Sequence, residues 1–462
     1  MAKATGRKTS DKKKTNKKGN NKKATKNKKK ATKTPKKASK ATGEAAWTVM
    51  VYLAGDNDLD SAGVVDLAEM KEVGSSERIN LLAQFDRAGP GTETRRFLLR
   101  KGTALGRDVV TSLGETNMGD PKVLKDFLVW GAKNYPAERY MVVIWNHGAG
   151  WDDDNVYRAV RGGLKRGVAY KKHAVGRPSR GAKGALPLSR LRSVSKRKFK
   201  RALFSSTVTQ AVEKRAIAFD DDAQDFLDNI ELKRVLTDAR RAFGGKIDVL
   251  GMDACLMNMA EVAYQVRNTA QVLVGSQEVE PADGWPYHTI LRDLAKKPGM
   301  TPAELGKVIV GRYLASYGAS EGVTQSALDL SLCRGLEAAI DKLAAVLIGA
   351  LPGDDARLGL LQARQAVRDY DTRDYIDLTH FCQLLRKFSG SAAIHVACDA
   401  VDSAAVKLVL ASGFKGAGVK NSNGVSIYFP EGSISPLYAK LDFARNNKWN
   451  EMLKAYFDAV SV

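Results

Sequence analysis

Two tripeptides hold side chains that could do covalent chemistry together. Asp253-Ala254-Cys255 ends the short apolar run IDVLGM, and Asn146-His147-Gly148 ends YMVVIW. Both runs read as buried strands, and open parallel α/β sheets collect functional groups where strands reach their carboxyl edges. After Cys255, the residues Leu256, Met259, Ala260 and Ala263 share one helical face. That spacing predicts a helix from Leu256, whose free amides and dipole would stabilise a Cys255 thiolate. A histidine at a neighbouring strand end can act as general acid and base and protonate a leaving amine. The backbone amides of Gly148 and Cys255 would form an oxyanion hole, and a glycine after the histidine lets substrate come close. The competing reading is plainer. A lone cysteine is usually a small core residue, and a strand-end histidine is often only hydrogen-bonded.

The remaining candidates have weaker settings. Cys333, Cys382 and Cys398 lie in helical or mixed apolar contexts and read as structural. With no CxxC pair among the four cysteines, neither a zinc knuckle nor a disulfide framework is indicated, so free thiols in a reducing compartment are expected. His288, His380 and His395 lack a comparable setting, and His173 lies in a basic stretch.

The elements that must position the two tripeptides alternate along the chain. WTVMVYLA (47–54) reads as a strand and SAGVVDLAEMKEV (61–73) as a helix. INLLAQF (79–85) and TRRFLLR (94–100) are further strands, and Asp120-Pro121 opens a helix as N-cap and first-turn proline. Asp228 or Asn229 caps another helix, and QVLVGS (271–276) is a strand beyond IDVLGM. This order predicts a largely parallel sheet covered by helices on both faces. Past residue 290 helical patterns dominate, with VSIYFP (425–430) as a late strand.

Charge divides the chain differently. The net +23 consists of +17 in residues 1–43, +17 in residues 156–215 and −11 elsewhere. The lysine-rich residues 1–43 cannot bury enough apolar surface to offset ordering entropy, so a disordered tail is expected. Such a tail suits contact with nucleic acid or another polyanion by counterion release; the alternative is a solvated segment that aids solubility. No apolar run approaches the ~18–20 residues of a membrane span. The first residues lack the apolar core of a secretory signal, which predicts a cytoplasmic protein, with unconventional export left open.

WTVMVYLAGDNDLD, YMVVIWNHGAGW, IDVLGMDACLMNMAEVAYQV and VGSQEVEPADGWPY, in this order, resemble the clostripain family of cysteine peptidases. TQSALDLS, DYIDL and GVSIYFP extend the likeness to about Phe429. The resemblance implies a caspase-like fold, with a peptidase core over 45–290 and a helix-rich C-terminal α/β extension over 291–462. It also implies Cys255 as nucleophile and His147 as its partner, with cleavage after arginine or, less often, lysine. By the same likeness Asp253 and Asp283 hold the basic side chain. The bland alternatives are a helix cap for Asp253 and a turn for Asp283. A carboxylate beside a thiol hinders ionisation, so its presence calls for a use such as pairing with a guanidinium.

Family members are made as zymogens that cut themselves between the histidine and cysteine strands. Here that interval holds a basic loop, 152–215, with sixteen Lys/Arg between residues 158 and 201. The alternative is a nucleic-acid-binding insert, though its aromatic residues are few (Tyr157, Tyr170, Phe199 and Phe204). No cofactor is expected for the chemistry. Calcium is undecided, with Asp152-Asp153-Asp154 and Asp220-Asp221-Asp222 as oxygen donors without EF-hand spacing. The rival to a peptidase is a peptidase-like polyanion-binding protein acting through its tail and loop.

Overall fold

The computed structural model describes residues 44–57, 59–89, 91–148, 150, 217–220, 225–281 and 283–460. The tail over 1–43, most of the basic loop and the aspartates at 152–154 and 221–222 lie outside them. Glu44–Val462 form one unit.

Nine strands make the main sheet, in the order β12-β10-β9-β8-β5-β1-β2-β3-β4. Its centre is parallel: β9 (Ala270–Gly275), β8 (Ile247–Asp253), β5 (Ala137–Trp145), β1 (Ala45–Gly55) and β2 (Ile79–Arg87). Antiparallel strands flank it, with β3 (Arg95–Leu98) and β4 (Val109–Ser112) on one side. On the other side lie β10 (Val323–Asp329) and β12 (Val409–Lys415). The order turns back between β1 and β5, and such a switch point opens a crevice beyond the carboxyl ends of the strands.

The central strands are apolar on both faces because both are covered. In β1, Val49, Val51 and Leu53 enter one core and Met50, Tyr52 and Ala54 the other. The first core packs under α1 (Asp60–Val73), α6 (Tyr287–Lys296) and α7 (Pro302–Ser316). The second packs under α3 (Pro121–Asn134), α4 (Asn229–Ala239), α5 (Ala260–Val266) and α8 (Cys333–Ala350). Asp120 caps α3 as the sequence predicts, and Asp228 rather than Asn229 caps α4, in a reciprocal box with Glu231.

The C-terminal part is rich in helices, with α9 (Asp354–Ala366), α10 (Leu378–Phe388), α11 (Ala392–Leu408) and α13 (Trp449–Val460). VSIYFP supplies the expected late strand, β13 (Ser426–Tyr428), which pairs with β11 (Tyr375–Asp377) in a separate small sheet. Two further strands, β10 and β12, extend the main sheet in the part of the sequence where helical patterns dominate. The helix expected from Leu256 begins only at Ala260. Among the described residues no helix is long and apolar enough to cross a membrane.

Candidate active site

β5 and β8 run side by side, with Trp145 in register with Asp253. This pairing delivers His147 and Cys255 to one edge of the sheet. Asn146, fully buried, locks the edge: its side-chain amide donates to Ala54 O at 2.5 Å and its backbone N–H to Asp253 O at 3.4 Å. Its Oδ1 accepts from the His147 backbone N–H. One asparagine thereby ties the ends of β1, β5 and β8 together.

Gly148 lies against the cysteine itself. A Cβ at this position would stand 2.2 Å from Cys255 O and 2.8 Å from Cys255 N, closer than any side chain could be accommodated. Leu256 follows with φ +63°, a left-handed backbone that a bulky residue adopts only when its surroundings impose it. The chain from Cys255 to Met259 is therefore a loop, and Cys255 stands five residues before α5. The late helix start replaces the expected helix dipole with local donors. The Glu280 backbone N–H donates to Cys255 Sγ at 3.3 Å, an interaction that favours a thiolate. Leu256 N–H donates to Glu278 O at 3.3 Å, and Asn258 N–H to Ser276 O at 2.9 Å. The segment after β9 thus cradles the segment after β8.

Asp253 is completely buried. Its Oδ2 accepts from the Tyr287 hydroxyl at 2.8 Å and from the Trp285 backbone N–H at 3.5 Å. It does not cap α5. Asp283 is exposed, on the short turn between Pro281 and Trp285 that runs past Asp253. Burial, and then the charges of Glu280, Tyr317, Asp253 and Cys255, push the Tyr313 phenol well above its ordinary value. These groups lie around Tyr313 at the carboxyl edge.

Sequence reasoning passed over Asn146, Glu278 and Glu280. The last two follow β9 at the edge that hosts His147 and Cys255, so the strand-end rule applied to QVLVGS would have reached them. Glu278 is pushed up to about 7 by burial and accepts from the Asp371 backbone N–H at 3.1 Å. The other cysteines and His288, His380 and His395 have structural settings, and His173 lies outside the described residues. Burial pushes Cys333 up to about 12, and Cys382 and Cys398 are fully buried against each other. His380 Nδ1 accepts from the Arg368 backbone N–H at 2.8 Å, and His288 lies 2.9 Å from Glu69.

Of the two calcium candidates, residues 152–154 are outside the description, as are the side chains of 220–222. Asp56, just past β1, Asp86, in the last residues of β2, and Glu115 bring one carboxylate oxygen each within 4.8 Å of one another. Hard oxygen donors of this kind suit calcium better than a softer metal.

A family model described as the clostripain family matches residues 51–172 and 206–456. The chain belongs to the clostripain family. Clostripain of Hathewaya histolytica is 25% identical over 445 residues, spanning 83% of this chain and 74% of that one. A secreted C11 cysteine protease of Bacteroides thetaiotaomicron, solved with an irreversible peptide inhibitor, superposes with TM-score 0.56 at 21% identity, covering 89% of this chain and 99% of that one. An inactive zymogen C11 protease of Parabacteroides distasonis superposes with TM-score 0.59 at 19% identity, covering 87% and 98%. The family member described here is thus a cysteine peptidase with a caspase-like fold, a hydrolase of peptide bonds whose thiol chemistry needs no cofactor.

Proposed function

We propose that the chain is an endopeptidase that cleaves after arginine, and less readily lysine, through a Cys255–His147 dyad. The observation that carries this reading is the packing of Gly148 onto the Cys255 backbone, which leaves no room there for a side chain. In this mechanism the Cys255 thiolate attacks the scissile carbonyl carbon. The Gly148 and Cys255 amides hold the oxyanion, and His147 gives its proton to the departing amine. Water, giving a proton to His147, then attacks the acyl carbon, and Cys255 departs as thiolate beside the reprotonated histidine. Asp253 and Asp283 attract the basic side chain, one from within the fold and one from the exposed turn.

The same reading makes the chain a zymogen that cleaves itself in the basic loop 152–215, whose sixteen Lys/Arg between 158 and 201 are its own preferred substrate. A denaturing gel of wild type beside Cys255→Ala tests both statements, with arginyl and glutamyl peptides assayed alongside. Wild type should split between residues 152 and 215 and turn over the arginyl peptide only, and the variant should do neither. An intact, inert wild type would sink the reading. Running both arms with calcium and with a chelator tests the metal. A structural calcium would be held by Asp56, Asp86 and Glu115, and its removal should lower the melting temperature.

A second activity rests on the +17 charge of residues 1–43, which suits a nucleic acid or another polyanion. Deleting 1–43 should abolish salt-sensitive retention on heparin without changing peptide turnover. Equal retention of both forms would overturn it.

A further inference from the structure

The proposed mechanism leaves one group of buried polar atoms unused. Glu280, Gln325 and Tyr313 are each fully buried at the carboxyl edge, on the face of the sheet that carries α7. Gln325 Nε2 donates to Glu280 Oε1 at 3.4 Å. Gln325 Oε1 and the Tyr313 hydroxyl have no hydrogen-bond partner among the described residues. Buried polar atoms are nearly always satisfied, so two unmet ones beside the same carboxylate call for an explanation. Their position supplies one: the backbone N–H of Glu280 is bonded to Cys255 Sγ, so its carboxylate lies one side chain's length from the thiol.

We propose that Glu280, Gln325 and Tyr313 form the floor of the pocket for the residue before the scissile bond, and that they select arginine over lysine there. This rests on the reading of Cys255 as nucleophile given above. A guanidinium carries five N–H donors in a flat fork and no acceptor. The floor offers the matching set: a carboxylate, an amide oxygen and a phenolic oxygen. The Tyr313 O–H can turn toward Glu280 while its lone pairs receive the guanidinium. An ammonium is a point charge with three donors on a different stem, and it cannot satisfy acceptors spread over a plane. Asp253, with one oxygen engaged by Tyr287, adds negative charge beside the same side chain. Asp283 is exposed and acts at the rim. Discrimination therefore comes from the buried acid, which is a glutamate two residues beyond Glu278 and not the aspartate of the turn.

The test uses the processed full chain and three peptides identical except for arginine, lysine or citrulline before the reporter bond. Citrulline keeps the shape of arginine without its charge. Glu280→Gln should lower kcat/KM for the arginyl peptide about 100-fold and cut its ratio to the citrullinyl peptide about 30-fold. Tyr313→Phe should reduce the arginine-to-lysine ratio about fivefold. Melting temperatures of both variants separate a lost fold from a lost contact, and Tyr313→Phe keeps the ring if Glu280→Gln fails to fold. If neither ratio moves in a folded variant, a buried water satisfies these atoms and the pocket assignment falls. If wild type cleaves no peptide, or Cys255→Ala cleaves as wild type does, the underlying reading fails and takes the pocket with it.

Discussion

Asp377, packed against the segment that follows β9, and Glu280, within that segment, are both fully buried carboxylates, yet their surroundings differ. Asp377, at the start of α10, accepts from the Asn423 backbone N–H at 2.6 Å and side chain at 2.8 Å. It also accepts from His380 N–H at 2.9 Å, Tyr370 OH at 3.0 Å and Gln277 Nε2 at 3.2 Å. Beside Glu280, by contrast, stand the two unmet acceptors of Gln325 and Tyr313. A carboxylate surrounded by donors fixes geometry, and here it pins Gln277 and with it the cradle of Cys255. A carboxylate with two unmet polar oxygens beside it is arranged for something that brings donors with it. Burial alone does not distinguish the two; the sign of their neighbours does.

The contrast can be broken at several points. Cys255→Ala should remove turnover by about 10⁴-fold or more while leaving the fold intact, read by peptide hydrolysis and melting temperature. Gly148→Ala should cost at least about 100-fold in kcat/KM, because its methyl must displace the Cys255 carbonyl. An active Gly148→Ala would mean that the close approach is incidental. Asp377→Ala strands five buried or half-buried donors and should lower stability by about 3 kcal/mol in urea unfolding. The corresponding loss for Glu280→Gln should be much smaller, and equal losses would erase the distinction.

The smallest effect is a pH slope. Glu261 in α5 is fully buried, accepts from Tyr428 N–H and Tyr438 OH at 3.0 Å each, and burial raises it from 4.5 to about 7. Its unfolded form releases the proton near 4.5 and its folded form near 7. The stability it contributes is therefore full below about 4.5 and lost as pH rises through about 7. Glu261→Gln should flatten that decline by about 2 kcal/mol, measured as the difference between variant and wild type from pH 5 to 8.

What could be read from the chain followed from local rules. IDVLGM and YMVVIW are continuous apolar runs because both faces are covered, and the caps at Asp120 and Asp228 are marked by Pro121 and Glu231. The failures lie where long-range contacts override local pattern. Leu256, Met259, Ala260 and Ala263 have helical spacing, but the cradle from Ser276 and Glu278 holds the first turn open and forces Leu256 left-handed. TQSALDLS lacks a strand's apolar run because Thr324 and Ser326 are spent on partners far away, Ser276 and Gly424. β12 follows α11 with no intervening residue, so no turn signal marks it. VSIYFP is a strand whose partner could not be guessed, since only three residues at Tyr375–Asp377 receive it. Glu280 stayed hidden because its neighbour in the next turn, Asp283, had the familiar motif.

The adjacency of β5 and β8 has a mechanical consequence. They are neighbours in the sheet but a hundred residues apart in the chain, and the whole basic interval separates them. Any break within that interval yields two pieces, one supplying β1 to β5 and the other β8, β9, β10 and β12. Neither piece closes a core, and each would present a flat apolar strand edge of the kind that seeks another strand. The pieces must therefore stay joined by registered backbone bonds and two buried faces, as a complex of the protein with itself. Once pulled apart they would face aggregation before reunion, so dissociation of a nicked molecule is also its end.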